Sequence, residues 1–227
     1  VTRAFAATLL LLAAACTSPG DAPGDAPGDA PGDAPGDAPG DAPGDASRTE
    51  RPGLYDCEGC ERAEARDPSA LSWRVRVPPE GEPGERLVVA GRVLRPDGTT
   101  PAPGVVLYVH QTNADGVYRS IRSQAGGGPG DALLEGWLVT GADGRYEIDT
   151  IRPGPYPDGT LAAHLHVYVK EPGRRPYYID DVVFDDDPLV DDAYRRAQER
   201  RGGSGIVRLA RRADGAWLAQ RDIVLEP

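Results

Sequence analysis

The chain predicts an all-β fold, a β-sandwich of short, mainly antiparallel strands with one short helix. Three observations point there. Short β-prone runs recur through residues 86–225. Turn signals such as Pro96-Asp97-Gly98, Ala142-Asp143-Gly144 and Ala213-Asp214-Gly215 separate them. Only residues 191–201 carry a helical pattern, so nothing supplies the crossover helices of an α/β fold.

The elements before the sandwich follow in order. Arg3 precedes an apolar run at residues 4–12, which leads into Ala13-Ala14-Ala15-Cys16. This is the three-part layout of a secretory signal, too short for a permanent span, and it resembles a bacterial lipoprotein signal. Residues 1–15 are therefore expected to be a signal peptide and Cys16 the lipidated residue. The anchor would hold the protein outside the cytoplasm, in the bacterial cell envelope. From Pro19 to Ala46 the unit Pro-Gly-Asp-Ala repeats. It has no side chain able to bury apolar surface, so residues 16–46 are expected to be a disordered tether extended by proline and by repulsion among its aspartates. Those aspartates also account for most of the formal charge of −11. The remainder is an ordinary solubility charge with no basic face, which argues against nucleic acid as a partner.

Residues 47–83 are polar and proline-punctuated, and are expected to wrap the domain as an arm. Within them, Cys57-Glu58-Gly59-Cys60 is open to three readings: half a zinc site, a redox motif or a local disulfide. No second Cys pair exists for zinc. Asp56, Glu58 and Glu61 disfavour a reactive thiolate. A disulfide is the expectation in an oxidising compartment.

The strands are expected at residues 86–94, 105–111, 137–140, 145–150, 163–170, 177–184, 205–209 and 217–225. The acidic run 180–192 is read as a solvated face answered by Arg195, Arg196, Arg200 and Arg201.

His164-Leu165-His166 lies inside one expected strand. Alternation puts both imidazoles on one face, near enough to share an ion, and turns Leu165 away. No Asp or Glu adjoins the pair in sequence to complete a two-histidine, one-carboxylate site. The hard anionic candidates are phenols: Tyr118, after the Asn113-Ala114-Asp115-Gly116-Val117 turn, and Tyr156, in a rigid Arg-Pro-Gly-Pro-Tyr-Pro loop. Ferric iron suits such donors, because its charge pulls phenol pKa values well below about 10.

The motifs together resemble those of the intradiol ring-cleavage dioxygenases, the protocatechuate and catechol family. The resemblance runs in order from Gly84-Glu85-Arg86 and Gly91-Arg92-Val93 through Pro103-Gly104-Val105, Gln111-Thr112-Asn113 and Gly116-Val117-Tyr118. It continues through Asp143-Gly144-Arg145-Tyr146, Thr150-Ile151-Arg152-Pro153-Gly154-Pro155-Tyr156, His164-Leu165-His166, Phe184-Asp185-Asp186-Asp187-Pro188-Leu189 and Arg221-Asp222-Ile223-Val224-Leu225. It implies that residues 84–227 form the dioxygenase-like sandwich and hold one non-haem Fe(III). Tyr118 and His164 would be equatorial ligands, Tyr156 and His166 axial, with a solvent hydroxide as the fifth. A catechol-type diol and O2 would be the substrates, with Tyr156 and the hydroxide accepting the diol's protons. The alternative on the same fold is an iron- or catecholate-binding lipoprotein without turnover. Two positions depart from the family. Leu161 stands where the family has an Arg three residues before the first His, and Asp181 where it has a Gln. Arg152 and Arg119 are the candidate replacements for the cation. His110 occupies a strand position where the family often has Trp.

Overall fold

Alternating residues resolve into two facing sheets in the computed structural model, which describes residues 51–118 and 134–227. The first sheet holds β1 (Arg74–Arg76), β2 (Arg86–Leu94), β5 (Arg145–Ile151), β9 (Leu209–Arg211), β10 (Trp217–Gln220) and β11 (Ile223–Val224). Its order is β1-β5-β2-β10-β9, with β11 also on β2. The second holds β3 (Val106–Gln111), β4 (Glu135–Val139), β6 (His164–Lys170), β7 (Tyr177–Phe184) and β8 (Ile206–Val207), in the order β4-β3-β6-β7-β8. The one α-helix among the described residues, α1, spans Asp192–Ala197 and is shorter than expected. Among the described residues no helix is long and apolar enough to cross a membrane.

The core lies between the sheets. Leu87, Val89 and Ile148 of the first sheet belong to one apolar cluster with Leu107, Val109, Leu165, Val167 and Ile179 of the second. Each such fully buried aliphatic side chain contributes about 1.5–3 kcal/mol. Strand β3 is buried along its whole length, because its other face, carrying Tyr108 and His110, is also covered. The cover is the arm: a 3-10 turn at Cys60–Glu64 sets Cys60 and Ala63 against Tyr108 and Tyr168.

Three differences from the expected strands have physical causes. The sheets are mainly antiparallel, as expected, but carry parallel pairs as well. The long ladders β2–β5, β3–β4, β3–β6 and β6–β7 are antiparallel, but the short strands β1, β8, β10 and β11 join them in parallel. The runs 205–209 and 217–225 are each broken. The first crosses between sheets at Arg208, so that β8 pairs with β7 and β9 with β10. The second breaks at Arg221-Asp222, where the Asp222 carboxylate accepts from the Arg92 N–H and takes the place of a ladder partner. Finally, β1 arises inside the arm. It is held by charge as well as backbone: Arg74 and Arg76 lie opposite Glu147 and Asp149, with ion pairs of 3.0 and 3.7 Å.

The acidic run is also organised differently. Its carboxylates do not pair with the four arginines named for it. Asp185 pairs with Arg208 and Asp186 with Arg152. Asp180 accepts from the backbone N–H groups of Arg200 and Arg201. Asp191 caps α1 through the Tyr194 N–H, and Asp181 turns toward the histidines.

Candidate metal centre

Two loops leave the sandwich side by side, one ending on Tyr118 and one on Tyr156. The Gln111-Thr112-Asn113 string ties them together. The Gln111 amide donates to the Ile151 carbonyl and accepts from Thr150 Oγ1, and the Thr112 hydroxyl donates to the Gly154 carbonyl. The Gly154 N–H donates to the Asn113 carbonyl. Asn113 Oδ1 accepts from the N–H groups of Asp115 and Val117 and closes the turn before Tyr118. Gly116 sits at φ +77°, and a Cβ there would lie 1.8 Å from the Pro155 carbonyl oxygen. Only glycine lets the two loops approach this closely.

The four sequence-identified donors converge on the outer face of the second sheet. Tyr118 Oη lies 3.0 Å from Tyr156 Oη and 2.8 Å from His166 Nε2. His164 Nε2 lies 3.2 Å from His166 Nε2. Donors bonded to one ion at about 2.0–2.1 Å, roughly 90–100° apart, have this spacing. The hydrogen-bond chemistry also asks for a cation. His164 Nδ1 is 2.7 Å from the Ala162 carbonyl, which can only accept, so the proton sits on Nδ1. His166 Nδ1 is 3.0 Å from Asp181 Oδ1 and likewise carries its proton. Both Nε2 lone pairs therefore face one another with no proton between them. Two histidines and two tyrosines so arranged fit a single hard, highly charged metal ion. Burial pushes the Tyr118 phenol up, and its hydrogen bond with Tyr156 adds to this; a bound cation would reverse that direction.

No carboxylate adjoins the histidines in sequence, but the fold brings Asp181 to them. His164, His166 and Asp181 offer ligand atoms within 4.8 Å of one another. The cause is an extra residue in β7: Leu165 pairs with Val182 but Val167 with Ile179, so both Asp180 and Asp181 stand against His166. Tyr178 Oη donates to the Asp181 carboxylate and lies 3.0 Å from His166 Nδ1. Burial alone would raise the Asp181 carboxyl, but the hydrogen bonds it accepts from His166 and Tyr178 help to hold it below the usual range. His110 lies against His166 with ring centroids 4.3 Å apart. Burial lowers its pKa to about 3, so this ring is neutral.

A cleft of ≈ 550 Å³ opens over these residues, lined by Tyr118, Tyr156, His166, Tyr108, Tyr168 and the arm. Cys57 and Cys60 are joined by a disulfide with Cα atoms 5.7 Å apart, and Cys57 faces the cleft. Arg62 and Arg201 are its described cations. Arg62 is engaged by Glu135 and Tyr108, and Arg201 pairs with Glu199 at 2.7 Å. Leu161 is 48% exposed. Arg152 forms a two-point pair with Asp186 and packs on the Phe184 ring, so it does not fill the Leu161 position. Arg119 and Cys16 lie outside the described residues. Asp181, Tyr178 and Arg201 were not identified as site residues from sequence; for Asp181 and Tyr178, the pairing of β7 with the His-x-His strand is the signal that reaches them.

Comparison with known proteins agrees with this geometry. Residues 65–225 match the family model Dioxygenase_C, described as "Dioxygenase". Over 122 residues the chain is 36% identical to the protocatechuate 3,4-dioxygenase beta chain of Burkholderia cepacia, covering 48% of this chain and 49% of that one. Over 176 residues it is 34% identical to hydroxyquinol 1,2-dioxygenase of Rhizobium sp. (strain MTP-10005), covering 63% and 55%. The chain thus spans about half the length of the curated relatives it matches. Among solved structures, the dioxygenase domain of a dioxygenase carbohydrate-binding protein fusion from Streptomyces sp. SirexAA-E superposes with a TM-score of 0.52. It is 27% identical, and the match covers 66% of this chain and 85% of that one. With most of the chain matched, on a sandwich whose outer face gathers two tyrosines and two histidines, the protein belongs to the intradiol ring-cleavage dioxygenase family.

Proposed function

We propose that this chain is a mononuclear non-haem Fe(III) enzyme that opens catechol-type rings between their two hydroxyl-bearing carbons with O2. The observation that carries the reading is the convergence of Tyr118, Tyr156, His164 and His166 at 2.8–3.2 Å beneath an open cleft. Bound iron(III) would supply a Lewis acid and a template for the diol and O2. The chain's own groups do the rest. Tyr156 Oη, half-buried on its proline-braced loop, would be a phenolate once the ion is bound and would then take a proton from a substrate hydroxyl. Tyr118 stays beneath it, against His166. Tyr108, Tyr168 and the arm limit water around the ring. The cleft volume suits one substituted aromatic ring.

A second reading, an iron- or catecholate-binding protein without turnover, is favoured by exposed Leu161 at the position of the family's cation. Loss of a preorganised charge there costs about 10²–10³ in rate. The location of the protein is part of the same proposal: residues 1–15 direct export, Cys16 carries the lipid and the repeat spaces the domain from the membrane. The apolar run, the small residues before Cys16 and the polar repeat support it.

The full chain, expressed in bacteria, is expected to partition with membranes, and Cys16→Ala to release it. Aerobically purified protein is expected to carry one iron and a visible phenolate-to-Fe(III) band that Tyr156→Phe shifts. Oxygen uptake with catechol, protocatechuate or hydroxyquinol then separates enzyme from binder. Protein that stays colourless and iron-free after ferric reconstitution overturns the enzymatic reading and the iron-binding form of the second.

A further inference from the structure

The two histidines of the centre are held by unlike partners. His164 Nδ1 addresses the neutral carbonyl of Ala162, whereas His166 Nδ1 addresses the carboxylate of Asp181. The second partner depends on the irregularity in β7. From Tyr178, regular alternation brings Asp180 next to the outer face. With one extra residue between Ile179 and Val182, Asp181 arrives there instead. Asp180 is held out of the way: its carboxylate takes two backbone N–H groups at 2.8 and 3.1 Å, and its carbonyl accepts from Arg221 Nη1 at 2.7 Å. The displacement of Asp181 is thus locked from both sides.

We propose that Asp181 is a positioning residue of the metal centre: its carboxylate holds His166 as the Nδ1–H tautomer, aims Nε2 at the ion and makes His166 the stronger imidazole donor. The proposal rests on the reading that the centre holds iron. Asp181 itself is not a ligand in this arrangement. It meets the Nδ1 edge of His166, while Tyr118 and His164 meet the Nε2 edge, so one ion cannot touch both sets. A carboxylate behind a ligating imidazole raises the basicity of the ligand, and removal of such partners typically lowers metal affinity about 10–100-fold. A stronger donor also makes a ferric ion less electron-poor. Tyr178, which donates to the same carboxylate, orients Asp181 and is secondary.

The test compares the full chain with Asp181→Asn, Asp181→Glu and Tyr178→Phe. In iron-free protein, long-range proton–nitrogen correlations read the His166 tautomer directly. Wild type and Asp181→Glu are expected to show the proton on Nδ1, and Asp181→Asn to lose that preference. In iron-loaded protein, chelator competition is expected to show affinity about 10–100-fold weaker for Asp181→Asn, with the phenolate-to-iron band moved to lower energy. Tyr178→Phe should keep the tautomer and most of the affinity. The same tautomer in wild type and Asp181→Asn overturns the proposal, as does a Tyr178→Phe effect as large as that of Asp181→Asn. If wild type takes up no iron, the enzymatic reading fails, and the tautomer measurement still decides the role of Asp181. Unchanged far-UV circular dichroism separates these effects from unfolding; should Asp181→Asn not fold, Asp181→Ala, expected to lose the tautomer preference and the affinity, against Tyr178→Phe decides by the same two readouts.

Discussion

Gly116 shows how much of this centre depends on backbone rather than side-chain chemistry. It contributes no ligand, yet its missing Cβ lets the Tyr118 turn rest against the Pro155 carbonyl. Gly116→Ala would pay for a positive φ, about 1–3 kcal/mol, and for a clash that drives the loops apart, about 1–3 kcal/mol more. The midpoint of thermal unfolding should fall by roughly 5–15 °C, and the iron band should disappear with it. Gly98→Ala is the control. It has a comparable φ of +69° but nothing within 4 Å of the added Cβ, so it should cost only the conformational part and leave iron binding intact. Equal losses in melting temperature and iron for the two variants would show that the close approach of the loops is unimportant.

At the scale of elements, the arm and the outer face of the second sheet form one unit. Arg62 reaches from the Cys60–Glu64 turn to Tyr108 Oη at 3.0 Å and to Glu135 at 2.6 Å. Trp137 Nε1 donates to the Arg62 carbonyl at 2.6 Å, and the guanidinium lies over the Tyr108 and Trp137 rings. Hydrogen bonds to charged groups contribute about 1.5–3 kcal/mol each, so Arg62→Ala should loosen the arm by at least that much. Limited proteolysis should then cut within residues 51–66 faster than in wild type, and Trp137 emission should shift to the red. Cleavage at the wild-type rate would mean that the arm's apolar contacts, its β1 ladder and the Arg51–Glu226 pair hold it without Arg62. The same contact bears on the proposed function, because the arm lines the cleft over the four donors.

For the whole molecule, stability depends on phenols far from the centre as well. Tyr146 is buried and donates to the Arg221 carbonyl at 2.7 Å. Tyr177 is buried and donates to Glu171 at 3.0 Å. Burial raises both phenols, and the charge of Glu171 raises Tyr177 further. Their folded values lie above the unfolded value of about 10. The native state therefore keeps protons that the unfolded chain loses, so this stabilisation is fully present below about pH 10 and declines as pH rises beyond it. Denaturant midpoints should hold between about pH 8 and about pH 9.5 and drop by about pH 11, with tyrosinate absorbance appearing together with unfolding. Midpoints that stay constant to about pH 11 would contradict it.

Much of the fold was legible because it depends on local chemistry. The long strands β2, β3, β5, β6 and β7 follow from alternation and bounding turns, and the shared face of His164 and His166 from a period of two. The fold class, the family and the four donor residues came from the amino-acid sequence by itself. What tertiary structure decided was long-range. β1 forms where Val75 reaches the core and the backbone pairs with β5, Glu147 and Asp149 lying opposite its arginines, and β10 ends where Asp222 meets Arg92 from another strand. Asp181 reaches His166 because one extra residue in β7 changes which side chain faces the sheet surface. A one-residue slip reverses the face of every side chain beyond it. Such a slip depends on pairing with a neighbouring strand, and no window of a single strand contains that information.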